Sequence, residues 1–153
     1  MSVSTAQYMQ LCSRGWDWQR TLDGGERFVV FDTEATGADS RMDQLVSIGA
    51  VAVVGNSIQL EDVFEMILKV SYNSATVLVH GVTRELAAEA GEEEATALAA
   101  FLDYIGDGIL VAHHASFDRT LLNKALQKHF GHDLLNPLVD TGDLAKRLGE
   151  AGA

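Results

Sequence analysis

The chain has 153 residues, 47% of them hydrophobic, and a mean hydropathy of +0.06. That is enough apolar material for one domain with a real core, and it excludes a disordered tail. Acidic residues number 22 against 11 basic ones, a formal charge of −11, which argues against a protein that coats nucleic acid through many Lys and Arg contacts. It leaves open a small site whose positive charge comes from bound metal ions. A single cysteine, Cys12, excludes a disulfide framework and a multi-cysteine zinc site. No apolar run reaches the roughly 18 residues of a membrane span, and no basic-then-apolar leader opens the chain. The expectation is a soluble, cytoplasmic protein with no membrane contact.

Taken in order, residues 1–26 read as an N-terminal helix or arm. Tyr8, Leu11 and Cys12 lie at helical spacing, Trp16 and Trp18 follow, and Asp23-Gly24-Gly25 ends the segment. The two tryptophans suit core contacts, with a partner surface as the alternative. Phe28-Val29-Val30-Phe31 is an unbroken apolar run, as in a strand buried on both faces. Residues 44–54 form a second strand, Gly55-Asn56 supplies a turn, and residues 58–68 return antiparallel. The pattern predicts a three-stranded meander with the first strand central.

Helices follow. Thr83 can cap a short helix through Glu89. Ala95, Leu98, Ala99, Leu102 and Ile105 share a helix face, with Glu92, Glu93 and Glu94 in the first turn, where the helix dipole favours acids. Residues 109–112 are a short buried strand. Ser116 is the expected cap of a helix that turns Phe117, Leu121, Leu122, Ala125 and Leu126 inward and stops near Gly131. Thr141 is the expected cap of a last helix carrying Leu144 and Leu148. A meander followed by alternating helices and strands predicts an α/β domain with a mixed sheet.

Asp32 and Glu34 end the first apolar strand in FVVFDTEATG, and residues two apart on a strand share a face. Two acids there are costly unless hydrated or neutralised by a hard cation. Asp118, in LVAHHASFD, follows the second buried strand and would reach the same sheet edge if that strand lies beside the first. Three carboxylates so placed can hold two divalent ions about 3.5–4 Å apart, an arrangement used for in-line displacement at phosphorus. A lone acid in a first helical turn would instead serve the dipole. Other chemistry finds no footing: there is no phosphate loop, no G-x-S-x-G elbow and no zinc spacing among the five histidines.

The combination of D-T-E-x-T-G at Asp32–Gly37, the strand QLVSIGAVAVV, H-G-V-T at His80–Thr83 and LVAHHASFD resembles the DEDD-type 3′→5′ exonucleases. Within that family it resembles the proofreading (epsilon) subunit of bacterial DNA polymerase III and its stand-alone homologues. The resemblance spans about residues 27–148 and implies a ribonuclease H-like fold. It implies that Asp32, Glu34 and Asp118 are catalytic metal ligands for two Mg²⁺ or Mn²⁺ ions. It further implies that Thr36 and Gly37 lie against the terminal nucleotide and that His80 contacts substrate, while His114, a departure from the family pattern, is expected to orient backbone or substrate. Phe117 matches a motif phenylalanine and reads as core. Asp140-Thr141 matches a pair whose acid is structural.

Two departures stand out. Many members of that family carry His-Asn where this chain has His113-His114. The family's last motif, a general-base histidine followed by a fourth metal-binding aspartate, has no counterpart, since His129 and His132 come too early. The chain therefore resembles the first two thirds of an exonuclease domain, with weak or no activity expected and one apolar sheet face left bare. The leading expectation is a metal-dependent 3′→5′ exonuclease acting on single-stranded or frayed 3′ ends, DNA before RNA, with a polymerase subunit as a candidate partner. The alternative is a non-catalytic interaction module on the same scaffold.

Overall fold

The computed structural model describes residues 3–70 and 91–149. The helix expected at 83–89 and His80 lie outside the described residues. In chain order the elements are α1 (Val3–Cys12), α2 (Trp18–Leu22), β1 (Arg27–Ala35), β2 (Leu45–Val54), β3 (Ser57–Ile67), α3 (Glu94–Ile105), β4 (Ile109–Ala112), α4 (Ala115–Phe130), β5 (Leu138–Asp140) and α5 (Thr141–Arg147). The five strands form one mixed sheet in the order β3-β2-β1-β4-β5, with β1 central. β1 pairs antiparallel with β2 and β2 with β3, as the turn at Gly55, held at φ +59°, dictates. β4 joins β1 in parallel over Phe28–Val30, and β5 joins β4 in parallel. This is the ribonuclease H-like α/β architecture that the sequence predicts.

β1 is not buried on both faces. Val29, Phe31, Thr33 and Ala35 point into the core, while Val30 and Asp32 point outward and are exposed. The core lies under one face, where α1, α3 and α4 contribute Tyr8, Leu98, Phe101, Leu121 and Leu122. The opposite face carries apolar side chains into solvent, Ile58 at 62% and Val63 at 57% exposure among them. The apolar run was uninformative about faces because period-two alternation vanishes when both parities are hydrophobic.

Helix starts differ from expectation. α4 is capped by His114 in the left-handed region (φ 53°, ψ 47°), with Ser116 already inside the helix. α5 is capped by Asp140, whose carboxylate accepts from the Gly142 N–H, and Thr141 is its first residue. α3 begins at Glu94 with Glu93 as its cap, whose carboxylate makes no capping bond and pairs with Lys69 at 3.0 Å. Glu92 bridges to Leu68 instead. The buried face of α3 is Ala97, Leu98, Phe101, Leu102 and Ile105, so Ala95 and Ala99 sit at its margin. Phe101 decides that rotation by packing its ring 5.8 Å from Phe31 and 5.5 Å from Phe64.

The N-terminal segment is bolted to the domain. Tyr8 donates its hydroxyl proton to Asn136 Oδ1 at 2.7 Å and accepts from the Leu135 N–H at 2.7 Å. Asn136 in turn donates to the carbonyls of Gly106 and Gly108. Trp16 is half-buried and donates to Asp107 O, whereas Trp18 stands 59% exposed. Tyr8→Phe leaves the buried Asn136 acceptor and the part-buried Leu135 N–H without this partner, at a cost of about 1–3 kcal/mol. Thermal melts followed by circular dichroism should show a lower Tm with unchanged low-temperature secondary structure.

Candidate active site

Because β1, β4 and β5 run parallel, their C-terminal ends gather at one edge of the sheet, and this edge receives every described candidate residue. Asp32 and Glu34 project from the outer face of β1 into a cleft of about 520 Å³ whose lining includes Ser47, Gly49, Glu65 and Ile67. Register places Asp32, Gly49 and Glu65 in one row across three strands. Gly49 has no side chain to fill the gap, and a Cβ there would meet nothing within 4 Å. Strand parity in β3 was the signal that could have found Glu65.

Asp118 reaches β1 from α4. It is only 3% exposed, and one oxygen, Oδ1, accepts both the Thr33 backbone N–H at 3.2 Å and the Thr33 hydroxyl at 2.5 Å. Burial pushes the Asp118 carboxyl above its ordinary value, the Thr33 hydroxyl pulls it back, and the negative charge of Asp32 pushes it up again. Asp32 and Asp118 are therefore electrostatic neighbours, and neither has an ion-pair partner among the described residues. No group of three His, Cys, Asp or Glu closes into a metal cage among the described residues. What the edge offers is a set of hard oxygen donors, with no ion pair to Asp32 or Asp118 among the described residues, which fits a divalent cation.

Thr36 and Gly37 belong to the turn that follows β1. The Thr36 hydroxyl donates to Asp43 Oδ1 at 3.1 Å and accepts from the Gln44 N–H at 3.0 Å. Asp43 Oδ2 accepts the Asp39 N–H, and Lys124 of α4 donates to the carbonyls of Ser40, Arg41 and Asp43. Gly37 is required by this closure, since a Cβ would come within 2.6 Å of the Asp43 carboxylate. Gly37→Ala should displace Asp43, open the turn and cost about 1–3 kcal/mol. A urea titration would register it as a lower midpoint with an unchanged slope.

His113 and His114 follow β4, with rings 4.1 Å apart. His113 Nδ1 lies 2.9 Å from Thr141 Oγ1, and the exposed His114 takes its left-handed conformation while donating its backbone N–H to Asp140. Asp140 also accepts from Ala115 N and Gly142 N, tying the β4–α4 and β5–α5 turns together. Desolvation works against the charged form of Asp140. The N–H groups of Gly142, Ala115 and His114 outweigh it and hold the carboxyl below its ordinary value.

With this geometry in view, a family model described as "Exonuclease" matches residues 29–152. The DNA polymerase III PolC-type protein of Thermotoga maritima is 35% identical over 127 residues, covering 82% of this chain and 9% of the relative. E. coli exonuclease I in complex with a 5cy-dT13 oligonucleotide superposes with a TM-score of 0.71 at 17% identity, covering 83% of this chain and 31% of that one. A zinc-bound form of E. coli exonuclease I with single-stranded DNA gives a TM-score of 0.68 at 18% identity, with the same coverage. The chain thus spans about a tenth of that polymerase and about a third of those solved chains. Among the described residues, no helix is long and apolar enough to cross a membrane.

Proposed function

Since the chain belongs to the exonuclease family, we propose that it removes nucleotides from the 3′ ends of single-stranded or frayed DNA by metal-dependent hydrolysis of phosphodiester bonds. The observation that carries this reading is the pairing of Asp32 and Glu34 on one face of β1 with the buried Asp118 beside the same strand, all without a cationic partner for Asp32 or Asp118. These three carboxylates would hold two Mg²⁺ or Mn²⁺ ions. The chemistry such ions supply is that of Lewis acids, acidifying a water and stabilising charge on the phosphate oxygens.

The chain's own residues do the rest. Asp32 and Glu34 line the cleft and would hold the cations there, without which their carboxylates would repel the phosphodiester. Thr36 has both its hydroxyl and its N–H engaged in the turn, so it would shape the turn against the terminal nucleotide while Gly37 meets it through main chain. The exposed His114 would contact substrate from the adjoining turn, and His80 would complete the set. Single-stranded DNA as the ligand is supported by the exonuclease I complexes, and work beside a replicative polymerase by the PolC-type relative.

The test incubates the protein with a 5′-labelled single-stranded oligonucleotide in Mn²⁺ or EDTA, beside Asp32→Ala. A ladder shortening from the 3′ end, dependent on metal and absent in the variant, is expected. Cleavage indifferent to EDTA or to Asp32→Ala overturns the reading. No cleavage together with indifference to Mn²⁺ binding would favour a non-catalytic interaction module.

A further inference from the structure

We propose that Thr33 is a positioning residue that holds Asp118 in the orientation needed to ligate a cation. It does so by fixing one carboxylate oxygen and leaving the other to face the site. The inference rests on the reading of Asp118 as a cation ligand.

The argument starts from the sheet. The parallel pairing of β1 with β4 ends at Val30 and Val111, so three residues further on the β4 side of β1 has no strand neighbour. A backbone N–H left there would be an unpaired donor inside the protein, because Thr33 is itself buried. Asp118 supplies the acceptor from the first turn of α4, and the Thr33 hydroxyl adds a second, shorter bond to the same oxygen. Two donors converging on Oδ1 from one rigid strand residue fix both the rotation of the carboxylate and its distance from β1. Oδ2 receives nothing from Thr33.

Thr33 also sits between Asp32 and Glu34 in the chain. Strand alternation sends its side chain to the inner face while theirs go to the outer one. The one strand therefore presents two acids directly and grips the third from beneath. An apolar residue at this position would leave Asp118 with the backbone N–H alone, at 3.2 Å. Partners of this kind around metal ligands typically contribute 10–100-fold to affinity, roughly.

The test measures Mn²⁺ affinity by electron paramagnetic resonance, without DNA, for wild type, Thr33→Val, Thr33→Ser, Asp118→Asn and Asp32→Ala. Each titration is run well below that variant's melting temperature. Val keeps the shape and β-branching of Thr but lacks the hydroxyl, and Ser restores the hydroxyl alone. The expected result is a loss of about tenfold or more in Thr33→Val and a return to within about threefold of wild type in Thr33→Ser. Wild-type affinity in Thr33→Val, with Asp32→Ala and Asp118→Asn still impaired, overturns the positioning role and leaves the site reading intact. Equal loss in Thr33→Val and Thr33→Ser also overturns it, because packing and not the hydroxyl would then be responsible. Equal Mn²⁺ binding in wild type, Asp32→Ala and Asp118→Asn removes the site itself, and the positioning role with it.

Discussion

Asp118→Asn is expected to remove metal-dependent trimming of the oligonucleotide while making the metal-free protein more resistant to heat. The first effect follows if Asp118 is the hard, anionic ligand proposed above. Cation-assisted displacement supplies several kcal/mol of transition-state stabilisation, so the loss in rate should be about 10³-fold or more. The second follows from burial and repulsion. Burial and the charge of Asp32 both raise the folded-state pKa of Asp118, so the ionised carboxylate is a cost that the unfolded chain does not bear. An amide keeps an oxygen that can accept both Thr33 bonds and removes the charge.

The pH dependence carries its own sign. A raised carboxyl pKa means that the folded state binds more protons between the ordinary value of 3.8 and the raised one. Wild-type stability therefore falls as pH rises through that window. The advantage of Asp118→Asn should be complete above it and vanish below the ordinary carboxylate value. In EDTA at pH 7 Asp118→Asn should melt at a higher temperature than wild type. Melting curves of both proteins from pH 3 to 8 test it, and a variant less stable than wild type at pH 7 would contradict the electrostatic account.

Phe101→Ala should be the most damaging core substitution. The ring is fully buried and bridges Phe31 of the central strand to Phe64 of β3. Its removal opens a cavity where three elements meet, at a cost of about 3–5 kcal/mol. Against a total stability of about 5–15 kcal/mol, that lowers Tm by roughly 10 °C. Phe31 adjoins Asp32 in the chain, so a shift in its packing also moves the cleft acids, and Mn²⁺ affinity should drop with stability. The exposed Trp18 gives the contrast: Trp18→Ala should change stability by no more than about 0.5 kcal/mol.

Much of this arrangement is written locally. β-Branched runs and the Gly55-Asn56 turn are enough to order β1, β2 and β3, and strand parity alone puts Asp32 and Glu34 on one side. The errors fall where a distant residue decides a local outcome. Ser116 has the chemistry of a helix cap, yet Asp140 holds the turn two residues earlier and the cap moves to His114. The face of α3 is set by aromatic rings on the strands, which a count of apolar positions does not weigh. Thr33 looks like a spacer between two acids, because its partner lies 85 residues away.

That long separation also governs the order in which the protein can assemble. β1, β2 and β3 are neighbours in sequence and can zip through short loops, whereas β4 and α4 must close a long loop before their contacts bring any gain. The cleft acids Asp32 and Glu34 are in place once the meander forms, but Asp118 joins them only when the parallel pairing of Val30 with Val111 is made. On the proposed reading, capture of Mn²⁺ during refolding would therefore report the closure of this long-range pairing and not the earlier formation of the meander.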